Sequence, residues 1–240
     1  MSFLAQRFEC KYLVPTQWVP QLRAAFLPYV DPDPFAALQP DRSYFIHSIY
    51  LDSPQLNLYH AALQGERNRM KLRLRFYQDL PKTVFAEIKQ RKADIIEKQR
   101  VPLTAEMAAQ LAAGQLPTIA QSPQYTEQDD QVLLNFSRWS STLMARPVSC
   151  VSYRREAWMG RRQDSQIRVT LDKQIHSEPR NQLLFKPARS DNSELFPGYW
   201  ILELKYTDRF PEWFRELILR FGLYQRGAAK YVTGMRHRAE

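Results

Sequence analysis

The chain has 240 residues, 44% of them hydrophobic, with 34 Lys and Arg against 25 Asp and Glu, a formal net charge of +9 and a pI of about 9.6. This length and composition suit a soluble domain with a sizeable core, and the basic balance favours acidic partners: nucleic acid, anionic membrane or phosphorylated small molecules. Charges interrupt every apolar run, so neither a signal peptide nor a membrane span is expected and the chain reads as cytoplasmic, while Cys10 and Cys150 are too few and too far apart for a disulfide framework or a thiolate zinc site.

In chain order, alternation predicts a strand over 3–14 and apolar spacing a helix over 15–27. After a proline-rich connection from Pro28 to Pro40 come a strand over 43–51, a helix over 54–63 and three strands over 69–77, 83–91 and 95–103. A helix over 104–113, a polar stretch from Gln115 to Gln131 expected as a loop, and a helix over 127–143 follow. Strands over 148–158, 166–175 and 199–206 and a helix over 211–221 complete the series. The reading is one α+β domain across residues 1–240, an antiparallel sheet of about eight strands with helices packed on it.

Side chains two apart on a strand share a face. One set of faces carries Glu9 and Lys11; Lys71, Arg73 and Arg75; Glu87, Lys89 and Arg91; Lys98 and Arg100; Tyr153 and Arg155; Arg168, Thr170 and Asp172; and Glu203 and Lys205. The opposite faces are apolar, as in Leu72 and Leu74 or Leu202 and Leu204. A half-solvated sheet gives the same alternation, but a solvated face mixes signs and adds Ser, Thr and Gln, whereas here Lys and Arg dominate and would repel across neighbouring strands unless an anion lay between them. If the strands close, the charged faces line an eight-stranded antiparallel β tunnel, wide enough for a slender ligand. Alternate residues about 6.6 Å apart could then grip successive groups of a linear phosphate chain, with Arg forks binding oxygens in pairs. Glu9, Glu87 and Glu203 would oppose such a polyanion; pairing with Lys11 and Lys89 accounts for the first two, and a hard divalent cation is the favoured reading for Glu203.

The segments Arg7-Phe8-Glu9-Cys10-Lys11-Tyr12, Ser48-Ile49-Tyr50-Leu51-Asp52-Ser53 with Tyr59, Lys71-Leu72-Arg73-Leu74-Arg75-Phe76-Tyr77, Glu87-Ile88-Lys89, Ser152-Tyr153-Arg154-Arg155, Ile167-Arg168-Val169-Thr170-Leu171-Asp172, Leu202-Glu203-Leu204-Lys205-Tyr206 and Lys230-Tyr231 occur in that order. Together they resemble the VTC domain, the polyphosphate polymerase domain of the vacuolar transporter chaperone, within the CYTH-like triphosphate tunnel metalloenzymes. The resemblance implies a tunnel that binds ATP and polyphosphate with a divalent metal, Mn²⁺ or Mg²⁺. It implies phosphate contacts for Lys11, Arg73, Arg75, Lys89, Arg155, Arg168 and Lys230, support from Tyr153, a further contact from Lys98, and Glu203 as the metal residue. Lys230 and Arg155 carry the catalytic expectation. The order Ala228-Ala229-Lys230 departs from family members with Ser before the last Lys. No SPX domain or membrane helix lies within these residues, so translocation would need a separate membrane protein.

The same tunnel with water as nucleophile would be a triphosphatase, and without turnover a polyphosphate or nucleotide sensor. A nucleic-acid interface is disfavoured because Phe76, Trp200 and Tyr206 fall on the face opposite the cations, where they cannot stack bases. A Walker A loop, a zinc-protease motif and a G-x-S-x-G elbow are missing, and His47, His60, His176 and His237 share no spacing. Arg161 and Arg162 beside Gly160 read as a hairpin tip, and Arg236, His237 and Arg238 as a basic tail after Lys230.

Overall fold

A computed structural model of the chain describes residues 7–236 except 78, 80, 94, 119–124, 162–165, 190–193, 208 and 226. The elements run β1 (Arg7–Pro15), α1 (Val19–Phe26), β2 (Val30–Pro32), α2 (Pro34–Ala37), β3 (Ser43–Asp52), α3 (Asn57–Leu63), β4 (Arg69–Phe76), β5 (Val84–Lys92) and β6 (Ile95–Leu103), then α4 (Ala105–Ala112), α5 (Glu127–Leu143), β7 (Arg146–Gly160), β8 (Arg168–Pro179), β9 (Tyr199–Thr207), α6 (Glu212–Arg220) and α7 (Lys230–Arg236). The fold is α+β, as expected: an antiparallel sheet in the order β1-β9-β8-β7-β3-β4-β5-β6, with β2 paired to β7. Among the described residues no helix is long and apolar enough to cross a membrane.

The chain divides into two compact units, each assembled from three separate stretches. The first comprises Met1–Phe45, Tyr153–Ile175 and Phe196–Ala229. Its sheet is built on β1, β9 and β8, whose alternation sends Val14, Val169, Leu171, Leu202 and Leu204 to one face, where they bury against Leu22 and Phe26 of α1 and Phe214 and Leu217 of α6. Each such fully buried side chain contributes about 1.5–3 kcal/mol relative to exposure. The expected helix over 15–27 is shorter than its apolar spacing suggests. Thr16–Trp18 and Leu27–Tyr29 are 3₁₀ turns flanking α1, and Pro20 and Pro28 each occupy an opening position, where a missing N–H is tolerated.

The second unit comprises Ile46–Ser152, His176–Leu195 and Lys230–Glu240. In it β3, β4, β5 and β6 pair in sequence, and Leu72, Leu74, Phe76, Ala86, Ile88 and Val101 bury against Leu111 of α4 and Leu133 and Phe136 of α5. Both helices begin on caps written in the sequence. Thr104 accepts the Met107 N–H at 3.2 Å, and Thr126 forms a capping box with Asp129. Buried Asp52 accepts the backbone N–H groups of Ser53, Leu58 and Tyr59 at 2.7, 2.9 and 2.8 Å and the Tyr231 hydroxyl at 2.7 Å, which ties α3 to α7.

Three short elements were not expected. β2 and α2 lie inside the proline-rich connection, where Asp33 accepts the Ala36 N–H at 2.7 Å and Pro34 opens the helix. α7 was not expected between Lys230 and the basic tail; Arg236, the one described residue of that tail, is the last residue of the helix.

Candidate functional site

In the first unit the charged face is ordered by strand register. Glu9 pairs with Lys205 across β1 and β9, and Lys205 with Arg168 across β9 and β8; one step along, Lys11 pairs with Glu203 and Glu203 with Thr170. Signs therefore alternate along β1 and β9 and between them, whereas across β9 and β8 Lys205 faces a second cation, Arg168. Lys11 Nζ lies 2.8 Å from Glu9 and 3.5 Å from Glu203, and Lys205 Nζ lies 2.9 Å from Glu203 and 3.9 Å from Glu9. Burial works against both ammonium groups. At Lys11 the carboxylates Glu203 and Glu9 outweigh it and raise the pKa, whereas at Lys205 burial prevails over them and lowers it.

Arg155 of β7 closes a two-pronged ion pair on Asp172 of β8, Nε to Oδ1 at 2.6 Å and Nη2 to Oδ2 at 2.7 Å, and reaches Glu203 at 3.4 Å. Its guanidinium also lies 5.3 Å from the centre of the Tyr153 ring. Burial opposes this charge, but Asp172 overcomes it and holds the pKa above the ordinary arginine value. Arg168 is anchored by Asp33, Nη2 to Oδ2 at 2.8 Å. A cavity of about 450 Å³ lined by Glu9, Lys11, Gln225 and Gly227 lies beside this face.

In the second unit the centre is Glu87, 1% exposed. Arg73 holds it through Nε at 2.7 Å and Nη2 at 2.6 Å, Lys98 at 3.0 Å and Arg75 at 4.0 Å. Burial would raise the Glu87 pKa, but these cations drive it well below the usual carboxylate range. Arg73 and Lys98, which bond Glu87, stand directly opposite or one step away on the adjacent strands β4 and β6. Lys71, Lys89 and Lys98 are directly opposite one another across β4, β5 and β6, an arrangement of like charges that weakens a sheet.

Of the sequence-predicted residues, the first unit thus brings together Lys11, Tyr153, Arg155, Arg168 and Glu203, and the second Arg73, Arg75, Lys89 and Lys98. Lys230 is half-buried at the start of α7. The expected pairing of Glu9 with Lys11 is present, and Asp33, Glu87, Asp172 and Glu203 supply further counter-charges to the cations from within the chain. The expected placement of the aromatics holds for the three residues named, with further rings on the charged side. Phe76, Trp200 and Tyr206 do pack with the apolar cores, but Tyr50 stands opposite Arg73 in register, its ring stacked on Tyr231 at 4.5 Å, and Lys71 lies 5.9 Å from the Tyr231 ring centre. Asp33 was missed because it lies 135 residues from Arg168; its Asp-Pro helix-start pattern was the available signal. Arg162, His237 and Arg238, and residues 3–6, lie outside the described residues.

Among the described residues no group of three His, Cys, Asp or Glu side chains is placed to hold a metal alone. Glu9 and Glu203, which share Lys11 and Lys205, fit a different kind of site: one or two carboxylates for a hard ion that takes its other ligands from phosphate and water.

No curated protein matches the chain. Among solved structures it is similar to a candidate adenylate cyclase from Bacillus halodurans, at 14% identity and a TM-score of 0.49 over 93% of this chain and 95% of that one. It is also similar to the PH1819 protein from Pyrococcus horikoshii OT3, at 12% identity and 0.48 over 97% and 99%. The family model of the VTC domain matches residues 6–238, and the chain belongs to that family.

Proposed function

We propose that the charged faces of both units bind a nucleoside triphosphate and a linear polyphosphate, and that the protein transfers the γ-phosphate of ATP to the end of the polyphosphate chain. The observation that carries this reading is the row of Lys71, Lys89 and Lys98. Three lysines in register on adjacent strands favour a polyanion that can bridge them, and Arg73 and Arg75 add forked donors beside that row.

In the reaction a terminal oxygen of the chain attacks the γ-phosphorus, a new P–O bond forms, the bond to the β–γ bridging oxygen breaks, and ADP leaves with the electron pair. Such a transfer asks the protein for in-line placement and neutralisation of charge on the moving group. In the first unit Lys11 and Arg168 would grip phosphate oxygens, with Tyr153 positioning Arg155 to oppose charge on a bound phosphoryl group; in the second, Arg73, Arg75, Lys89 and Lys98 would grip phosphates and Lys230 would oppose charge on the group that moves. Glu203, with Glu9 near by, would hold Mn²⁺ or Mg²⁺, which supplies further neutralisation of phosphate oxygens when bound. The family supports nucleotide and polyphosphate substrates. Movement of product across a membrane would fall to a separate protein.

The test is incubation of pure protein with ATP and Mn²⁺, followed by chain-length analysis. ADP with long-chain polyphosphate is the expected result, with Lys230→Ala lowering kcat well beyond its effect on ATP affinity. Free phosphate as the product would identify a triphosphatase, and binding without turnover a sensor; either contradicts the transferase reading.

A further inference from the structure

On the charged face of the first unit, Thr170 is the neutral member of an otherwise ionic grid. It lies between Arg168 and Asp172 along β8 and directly opposite Glu203 of β9. Its neighbours Val169 and Leu171 belong to the apolar core, so its own side chain is turned to the charged side. The residue is 0% exposed, and among the described residues its Oγ1 has no hydrogen-bond partner. A buried hydroxyl without a partner is uncommon in a folded protein.

Two residues away, on the same face, Arg168 Nε is in the same condition. The guanidinium is not loose: its Nη2 bonds Asp33 at 2.8 Å and meets the Tyr44 hydroxyl at 3.5 Å. Asp33 is itself buried and caps α2, so Arg168 is fixed at its far edge while Nε stays uncommitted. Two buried donors, one neutral and one cationic, are therefore preset on one strand.

We infer that Thr170 Oγ1 and Arg168 Nε form an oxyanion subsite, in which the hydroxyl and the guanidinium edge donate to oxygens of one bound phosphate group. This deepens the functional reading above and rests on it. The hydroxyl suits a place opposite Glu203 because it adds a donor without adding a further cation to a grid already in balance. A phosphate so held is recognised by its oxygens and not by any nucleoside, so inorganic tripolyphosphate is a sufficient probe.

The experiment is metal-free titration of the full chain with inorganic tripolyphosphate, combined with thermal melts with and without that ligand, for the wild type, Thr170→Val, Thr170→Ala and Thr170→Ser. Val keeps the shape and removes the hydroxyl. Its melting temperature without ligand should equal or exceed that of the wild type, while its affinity for tripolyphosphate falls about three- to tenfold and the ligand-induced rise in melting temperature shrinks. Ala should show the same loss of affinity, and Ser should stay within about twofold of the wild type, the smaller change expected when the donor is kept. Undiminished affinity in Val and Ala, with a wild type that binds normally, overturns this inference alone. So does a ligand-free melting temperature that falls in Val together with an equal affinity loss in Ser, since that pattern marks packing. A wild type that binds no tripolyphosphate overturns the functional reading and this subsite with it.

Discussion

The carboxylate of Glu203, 4% exposed, sits 2.9 Å from the Lys205 ammonium. With Lys11 and Arg155 also in reach, Glu203 already balances cations before any metal arrives. Removing its charge should therefore free positive potential for an anion. Glu203→Gln is expected to bind tripolyphosphate without metal as tightly as the wild type or more tightly, while metal-dependent turnover is lost. Calorimetric titration with and without Mn²⁺ checks this. Equal loss of metal-free binding in Glu203→Gln and Arg155→Ala would refute the division of roles.

Arg155 and Asp172 form an enclosed ion pair in the first unit, at 7% and 0% exposure. Removing one partner leaves a buried charge without its counter-charge. Asp172→Asn should cost about 2–4 kcal/mol, and thus lower the melting temperature by about 4–16 °C. The exposed pair of Arg161 and Asp31 is the control: Asp31→Asn should cost less than about 0.5 kcal/mol. Thermal melts of both variants decide between them.

The charged and apolar faces were legible in the sequence because a strand repeats every two residues, and Lys71-Leu72-Arg73-Leu74-Arg75 states its faces outright. Pairing was less legible, since alternation assigns a face but not a register. From sequence only Lys89, its neighbour on the same strand, suggested itself as a partner of Glu87; the β4–β5–β6 register is what brings Arg73 and Lys98 to its carboxylate. Prolines in the Pro28–Pro40 stretch suggested connection alone and hid α2, whose four residues are too few to show a period. The donor at Thr170 was visible as a face residue, but its lack of a partner is a property of packing.

The cationic face of the second unit predicts a pH dependence. Burial would raise the Tyr50 phenol, but Arg73, Lys71 and Arg75 outweigh it and bring the pKa down to about 8. Burial also pushes the Lys98 ammonium down; Glu87 opposes this, Arg73 and Arg75 add to it, and the result is about 8. Between pH 8 and 10 the unfolded chain therefore holds more protons at both positions than the folded one, so their contribution to stability grows as pH rises through that window. Anion affinity should move the other way, because the face gains a phenolate and loses an ammonium charge. Affinity for tripolyphosphate should fall more steeply from pH 8 to 10 in the wild type than in Tyr50→Phe. Parallel curves would contradict the assignment.

Gly234 of α7 packs against Ser177 of β8 so closely that a Cβ there would lie 2.2 Å from Ser177 Oγ and 2.6 Å from Ser177 Cβ. Gly234→Ala should therefore destabilise by about 1–3 kcal/mol. Ser177→Gly in the same chain should restore much of the loss, since both clashing atoms are then gone. Denaturant unfolding of the single and double variants measures the coupling, and simple additivity would show that the contact is not what excludes the methyl group.

The central claim, that these charged faces hold a linear phosphate anion, is tested most directly by equilibrium binding of inorganic tripolyphosphate to the metal-free protein at two salt concentrations. The wild type should bind saturably and more weakly at higher salt, and Arg73→Ala and Lys89→Ala should each lose about tenfold in affinity, the scale of one charge-assisted contact. Failure of the wild type to bind saturably, or unchanged affinity in both variants, would contradict it.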